Sequence, residues 1–318
     1  MLANGMRQAG YEYVNVSDGW QGSRDAQGVL HPNAGFPDMV ALGKYIHSRG
    51  FKYGIYTSMG SGTCSDYAGS LGHEEQDARM FLDWDVDLVT YDACRLPSIP
   101  PVALEGLAYK NARAIRPNEK HPVVFNIIVL ASPWQWAPAM AMNMWRIAPD
   151  ALDNYQNMLQ IADIDAPLAP FTSKVGWNDP DMLQVGHTGM TSEEYRTHMT
   201  LWAMLAAPLV ASTDLLKISP TDLDILTNPD AIAIDQDPLV QQATRVVQGD
   251  VDVWLKALSK GWAIAVVNRT DQPVQYEISP SQLGIDPFEA REAWTKQTVA
   301  LPYTAAIPAH GCVLLRTL

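Results

Sequence analysis

The feature that most limits the fold is an alternation. From residue 11 onward, short β-rich runs are separated by amphipathic, helix-like stretches. The runs are YEYVNVSD (11–18), KYGIYTS (52–58), DLVTYDA (87–93), PVVFNIIV (122–129), NMWRIAPD (143–150), GWNDPDML (176–183) and PLVASTDL (208–215), giving seven expected strands. Between them, PDMVALGKYIHSRG (37–50) puts Met39, Leu42, Tyr45 and Ile46 on one stripe and ends at Gly50. EEQDARMFLDWD (74–85) and DALDNYQNMLQI (150–161) have similar spacing. Strands alternating with helices pair in parallel through right-handed crossovers, and eight such units close a barrel. The expected fold is therefore α/β, a (β/α)8 TIM barrel whose first strand is missing from the pattern.

Beyond about residue 244 the texture changes to VDVWLKAL, GWAIAVVNRT, VQYEIS and YTAAIPAHGCVLLRTL, with turn residues at short intervals and no helical spacing. This reads as an antiparallel β-sandwich. The expected domains are a barrel over 1–240 and a β-domain over 241–318, joined through AIDQDPLVQQ (233–242).

Charge and composition exclude several classes of partner. Lys plus Arg number 22 against 35 Asp plus Glu, a net charge of −13, which disfavours nucleic acid. No apolar run approaches the roughly 18 residues of a membrane span, so no membrane partner is expected. The N-terminus, MLANGMRQAGYEY, shows neither a charged-then-apolar leader nor a small-residue cleavage site, and no signal peptide is read in it. Of the three cysteines, Cys64 and Cys94 can form one disulfide, while Cys312 in GCVLL reads as a small core residue. Their spacing suits neither a zinc site nor a redox pair, and a disulfide would favour an oxidising compartment.

In a barrel the C-terminal strand ends face one mouth, so polar residues there are candidates for chemistry. The set is acidic: Asp18, Asp92, Asp150, Asp179, Asp181 and Asp214, with Tyr56 and Arg146 on the same ends. Taken singly, each Asp reads as the N-cap of the next helix, and Asp179 and Asp214 keep that reading. Several carboxylates on one rim repel one another, an arrangement suited to chemistry that needs two protonation states at once. Glycoside hydrolysis uses such a pair without a metal: one carboxylate attacks the anomeric carbon, the other protonates the leaving oxygen. The seven His (31, 47, 73, 121, 187, 198 and 310) form no HExxH or His-x-His, and no GxSxG follows a strand. No metal and no cofactor are expected. Trp20, Trp134, Trp136, Trp145 and Trp177 lie at or near strand ends, where rings can stack on sugar C–H faces, although the core is the default place for any one of them.

AGYEYVNVSDGW, YIHSRGFKYGIYTSMGSGTC, GSLGHEEQDARMFLDWDVDLVTYDAC, MWRIAPD, GWNDPDML, LWAMLAAPLVAS and AIDQDPL, in this order, resemble the blocks of glycoside hydrolase family 27, the α-galactosidases and α-N-acetylgalactosaminidases. The likeness spans most of the first 240 residues. It implies a retaining glycosidase with Asp92 as nucleophile and Asp150 as general acid/base. It implies substrate contacts from Asp18, Trp20, Tyr56, Arg146 and Asp181, and a disulfide between Cys64 and Cys94. The implied substrate is a terminal α-linked, galactose-like residue of an oligo- or polysaccharide, the implied compartment secreted, periplasmic or lysosomal-type, and a homodimer is left open.

Three departures bear on the sugar. The family's Asp-Asp-Cys-Trp is Ser17-Asp18-Gly19-Trp20, its Lys two residues before the nucleophile is Thr90, and its Cys-Glu-Trp falls on Ile127, Ile128 and Val129. Each lost charge-assisted hydrogen bond is worth about 1.5–3 kcal/mol. A different glycone, such as α-N-acetylgalactosaminide, β-L-arabinopyranoside or a dextran-type glucose, is the alternative. A sugar-binding relative without activity is the rival from another class.

Overall fold

A computed structural model describes residues 1–115 and 122–318. The chain divides into two compact units, one of Glu12–Arg146 and one of Met1–Tyr11 with Ile147–Leu318.

In the first unit β1 (Tyr13–Val16) is followed by a hairpin, β2 (Gln21–Arg24) and β3 (Leu30–Pro32), and then by α1 (Met39–Ser48), β4 (Lys52–Ser58), α2 (Glu74–Asp83), β5 (Leu88–Asp92), α3 (Pro101–Ala114), β6 (Val124–Ile128) and β7 (Met144–Arg146). The parallel order is β1-β4-β5-β6-β7. The strand registers carry Tyr56 beside Thr90, Thr90 beside Asn126, and Asn126 beside Met144. They also carry Ser58 beside Asp92 and Asp92 beside Ile128. Since side chains alternate along a strand, these residues share one face. The opposite face is apolar: Val89, Tyr91, Phe125, Ile127 and Trp145 are fully buried there, and the Tyr91 and Phe125 rings stack at 5.1 Å.

Helix α1 starts because the Asp38 side chain accepts the Ala41 N–H. It stops at Gly50, whose φ of +76° suits glycine and whose N–H reaches the His47 carbonyl. Its buried face is Met39, Gly43 and Ile46, whereas Tyr45, expected on that stripe, is exposed. The hairpin is fastened to α2 by a two-pronged ion pair, Arg24 Nη1 to Asp77 Oδ1 at 2.8 Å and Nη2 to Oδ2 at 2.6 Å, with Asp77 fully buried.

In the second unit α4 (Tyr155–Asp165), β8 (Trp177–Asp179), α5 (Ser192–Leu205), α6 (Pro220–Leu226) and α7 (Pro229–Asp235) precede the β-rich end. The expected helix over 150–161 begins only at Tyr155, because the Asn154 side chain caps it by accepting the Asn157 N–H. Residues 150–153 are thereby left as a loop. The expected strand at 208–215 reduces to a single parallel bridge, Leu183 to Ala211. There the Ser212 hydroxyl donates to the Leu183 carbonyl and the Thr213 hydroxyl to the Gly186 carbonyl, and side-chain bonds of this kind compete with a ladder.

The last stretch forms β9 (Thr244–Val247), β10 (Val251–Ala257), β11 (Trp262–Asn268), β12 (Val274–Ile278), a short α8 (Pro280–Leu283), β13 (Glu289–Glu292), β14 (Thr298–Ala300), β15 (Tyr303–Ile307) and β16 (Cys312–Thr317). An antiparallel sheet in the order β14-β13-β16-β11-β10-β9 accompanies a β12-β15 pair. Val253, Ile264, Val266, Ile278, Ile307 and Leu315 pack in its core. The helix α8 is a departure from the all-strand expectation and opens on Pro280, whose fixed φ suits a first helical position. Cys312 is a free, half-buried thiol 3.2 Å from the Thr200 hydroxyl. Among the described residues no helix is long and apolar enough to cross a membrane.

Candidate active site

Asp92 is the last residue of β5 and is half-buried. Its Oδ2 accepts the Tyr56 hydroxyl at 2.8 Å, and its Oδ1 accepts the following N–H, that of Ala93, at 2.6 Å. Tyr56 shares the face of Asp92 one strand over, so regular strand register delivers the hydroxyl to the carboxylate. Burial first, and then the charge of Asp92, push the Tyr56 phenol well above its usual range, so it stays a donor.

The expected disulfide is present, Cys64 to Cys94, with Cα atoms 5.1 Å apart. The Cys64 sulfur lies 3.6 Å from Asp92 Oδ2, a contact and not a hydrogen bond, because a disulfide sulfur has no proton. The loops on either side meet closely: a Cβ on Gly60 would sit 2.0 Å from the Cys94 carbonyl oxygen. Asp18 joins the same cluster, with Oδ2 accepting the Ser65 N–H at 3.0 Å and Oδ1 the Gly19 N–H at 2.9 Å.

Trp20 has no exposed surface. Its indole packs edge-on against Trp84 and Phe81, and its Nε1–H donates to the Tyr56 carbonyl at 2.8 Å. A ring buried in this way supports Tyr56 from behind and offers no face to a ligand. Trp145 is likewise a core residue. Arg146 is buried at the end of β7, two residues on from Met144 and hence on the Asp92 face.

In the other unit Asp150 is exposed, at the start of the loop that precedes α4. The loop is held by side chains. Asp181 Oδ2 accepts the Ala151 N–H at 2.8 Å, Asn157 Oδ1 accepts the Leu152 N–H at 2.8 Å, and the Tyr195 hydroxyl donates to Asp153 Oδ1 at 2.9 Å. Asp153 Oδ2 also accepts the Gly189 N–H. Asp181 is itself unusual, a buried non-glycine residue with φ of +78°. It is steadied by Asp179 Oδ1, which accepts its N–H at 2.9 Å. Asp179 is therefore a turn residue and no helix cap, and Asp214 likewise closes a turn by accepting the Leu216 N–H at 3.0 Å.

Three residues went unremarked in the sequence. Asn126 stands beside Thr90 on the Asp92 face, and its signal was a lone polar residue within PVVFNIIV. Asp153 looked like part of an amphipathic helix. Trp202, fully buried on α5, donates its indole N–H to the Asp181 carbonyl at 2.7 Å, a contact that no local pattern announces. Of the apolar trio in place of Cys-Glu-Trp, Ile128 lies beside Asp92, whereas Ile127 is on the opposite, fully buried face.

The family profile described as alpha galactosidase A matches residues 1–237, and that described as alpha galactosidase C-terminal beta sandwich domain matches residues 248–317. The chain is 36% identical to alpha-galactosidase A of Cellvibrio japonicus over 99% of its own length and 85% of that protein's. It is 36% identical to alpha-galactosidase A of Homo sapiens over 89% of its length and 70% of the relative's. A crystal structure of a putative alpha-galactosidase/melibiase from Bacteroides fragilis superimposes with a TM-score of 0.95 at 35% identity, covering 100% of this chain and 73% of the other. At 20% identity, a β-L-arabinopyranosidase from Geobacillus stearothermophilus superimposes with a TM-score of 0.84 and attests the fold alone.

Proposed function

Because the chain belongs to glycoside hydrolase family 27, the α-galactosidase or melibiase family, with its parallel barrel-type sheet and C-terminal β-sandwich, we propose that it is a retaining exo-α-glycosidase. It removes terminal α-linked, galactose-like residues. An Asp92 oxygen bonds to the anomeric carbon as the glycosidic C–O bond breaks, and the Asp150 proton passes to the leaving oxygen. Water, deprotonated by Asp150, then displaces Asp92 from the same carbon. This machinery lies in residues 1–240, and the sandwich of 241–318 has a supporting part.

The observation that carries this reading is the 2.8 Å bond from the Tyr56 hydroxyl to Asp92 Oδ2 at a barrel-type strand end. It orients a half-buried carboxylate for attack. Asp18 and Arg146 serve the sugar hydroxyls, Trp20 acts through Tyr56, and Asp181 acts through the Asp150 loop. The disulfide beside Asp92 favours an oxidising compartment, secreted, periplasmic or lysosomal-type.

A second reading, the same chemistry on another glycone, is favoured by the Asp92 face. Thr90 and Ile128 stand on that face where the family has charged groups, and each lost charged hydrogen bond costs about 1.5–3 kcal/mol of recognition. A panel of aryl α-galactosides, α-N-acetylgalactosaminides, α-glucosides and β-L-arabinopyranosides, assayed beside Asp92→Asn, tests both readings. Turnover of one sugar that Asp92→Asn abolishes is the expected result. Turnover of none, or equal turnover by the variant, overturns the enzyme reading in favour of a sugar-binding protein.

A further inference from the structure

We propose that Trp202 is a positioning residue for Asp150, acting through the backbone of Asp181. The inference rests on the glycosidase reading for its kinetic consequence and on geometry for the rest.

Asp181 holds a left-handed backbone that a residue with a Cβ adopts rarely, at φ +78°. Such a conformation persists only where its surroundings over-determine it. Three bonds contribute to this. The Asp181 N–H donates to Asp179 Oδ1 at 2.9 Å, its own Oδ1 accepts the Met182 N–H at 2.8 Å, and its carbonyl accepts the Trp202 indole N–H at 2.7 Å. The first two are local to the turn. The third is the one that ties the turn to a long helix, α5, 21 residues further along the chain.

The consequence falls on Asp150. With its backbone fixed, Asp181 aims Oδ2 at the Ala151 N–H, 2.8 Å away, and Ala151 follows Asp150 directly. Asp150 is exposed and stands ahead of α4, so its placement depends on such outside supports. The indole is itself held on one side. Trp202 is fully buried, and the ring of His198, one turn earlier on α5, meets it edge-on with centroids 4.1 Å apart. Burial keeps His198 neutral, its titration pushed down to about 3, so the packing does not change over the physiological range.

Trp202→Phe keeps an aromatic ring in the site and withdraws the N–H together with the indole's second ring, and the comparison of leaving groups separates the lost bond from the lost packing. A misplaced general acid is felt only where the leaving group needs its proton, and a dinitrophenolate departs without one while a phenolate does not. Trp202→Phe is therefore expected to lower kcat/KM for the phenyl α-glycoside by about 10- to 100-fold and for the dinitrophenyl α-glycoside by less than about threefold. Faster amide hydrogen exchange at Ala151 is expected alongside. An equal loss on both substrates, or unchanged exchange at Ala151, overturns the proposal.

Should Trp202→Phe fail to fold, Asp181→Asn, which keeps the side chain's shape and withdraws one carboxylate acceptor, must give the same split between leaving groups. An even loss with Asp181→Asn would then count against the proposal. If the wild-type protein turns over neither glycoside, the glycosidase reading has failed, and the Ala151 amide decides the positioning claim alone.

Discussion

Asp92 stands at the end of a parallel strand, whereas Asp150 stands in a loop whose course is set by side chains of other residues. The first is placed by regular hydrogen-bonded register, with Tyr56 delivered to it from the neighbouring strand. The second depends on Asp181 and Asn157, which accept the Ala151 and Leu152 N–H groups of a segment without secondary structure of its own, and on Asp153 within that segment, which accepts the Gly189 N–H. A nucleophile must approach one carbon along one line, and rigid strands suit that task. A group that gives a proton and later takes one back must stay within hydrogen-bond reach in both steps, and here that reach is held by side-chain supports from outside the loop. The two halves should therefore fail in different ways.

The largest effect is expected at the carboxylates. Asp92→Asn should lower kcat on every glycoside by on the order of ten-thousand-fold. Asp150→Asn should cost roughly 100- to 10,000-fold on a phenyl glycoside while sparing kcat/KM on a dinitrophenyl one. Steady-state kinetics on the two leaving groups separates these outcomes, and equal behaviour of the two variants would erase the contrast.

The next effect concerns stability of the strand-built half. Asp77→Ala strands the Arg24 guanidinium in a nearly closed site and should cost about 3–5 kcal/mol, read as a lower denaturant midpoint. A smaller loss would mean that the hairpin is held by other contacts.

Tyr56→Phe withdraws one charge-assisted bond from Asp92 and should lower kcat/KM by an amount equivalent to about 1.5–3 kcal/mol. That loss should be alike for good and poor leaving groups, unlike the loss from Trp202→Phe. A split between leaving groups at Tyr56 would assign the tyrosine to the wrong half.

The smallest effect is on the pH profile of stability in the Asp150-bearing half. Asp165 is fully buried on α4, and its carboxyl is raised from 3.8 to about 7 by desolvation first, against the Gln242 bond and aided by the charge of Asp179. The folded state then keeps a proton that the unfolded chain releases between pH of about 4 and 7, so this contribution is full below that window and is lost as pH rises through 7. Asp165→Asn, which keeps the acceptor facing Gln242, should flatten the fall and raise stability at pH 8 relative to the wild type. Denaturation midpoints at pH 5 and pH 8 check this, and an unchanged slope would contradict it.

Much of this was legible in the sequence where one pattern decides one thing. Alternation of strand and helix pointed to the parallel sheet, because short β-rich runs recurred with stretches of helical spacing between them. The Asp92 cluster was legible because strand ends are where a polar residue breaks an apolar run. The 208–215 run misled because its apolar residues resemble a strand, while Ser212 and Thr213 spend their hydroxyls on neighbouring carbonyls. The 150–161 stretch misled because apolar spacing says nothing about which of Asp150, Asp153 or Asn154 caps the helix. Trp20 looked like a sugar platform from its place after β1, but only three-dimensional packing against Trp84 and Phe81 shows its ring closed off. The Trp202 to Asp181 bond joins residues 21 positions apart, and no local period encodes it.

The central claim is double displacement at Asp92, and the stereochemistry of the first-formed sugar tests it most directly. Proton NMR during the first minutes of hydrolysis of an aryl α-glycoside should show the α-anomer appearing first and relaxing later to the equilibrium mixture. A β-anomer formed first would contradict the covalent glycosyl-Asp92 intermediate and, with it, the proposed roles of both carboxylates.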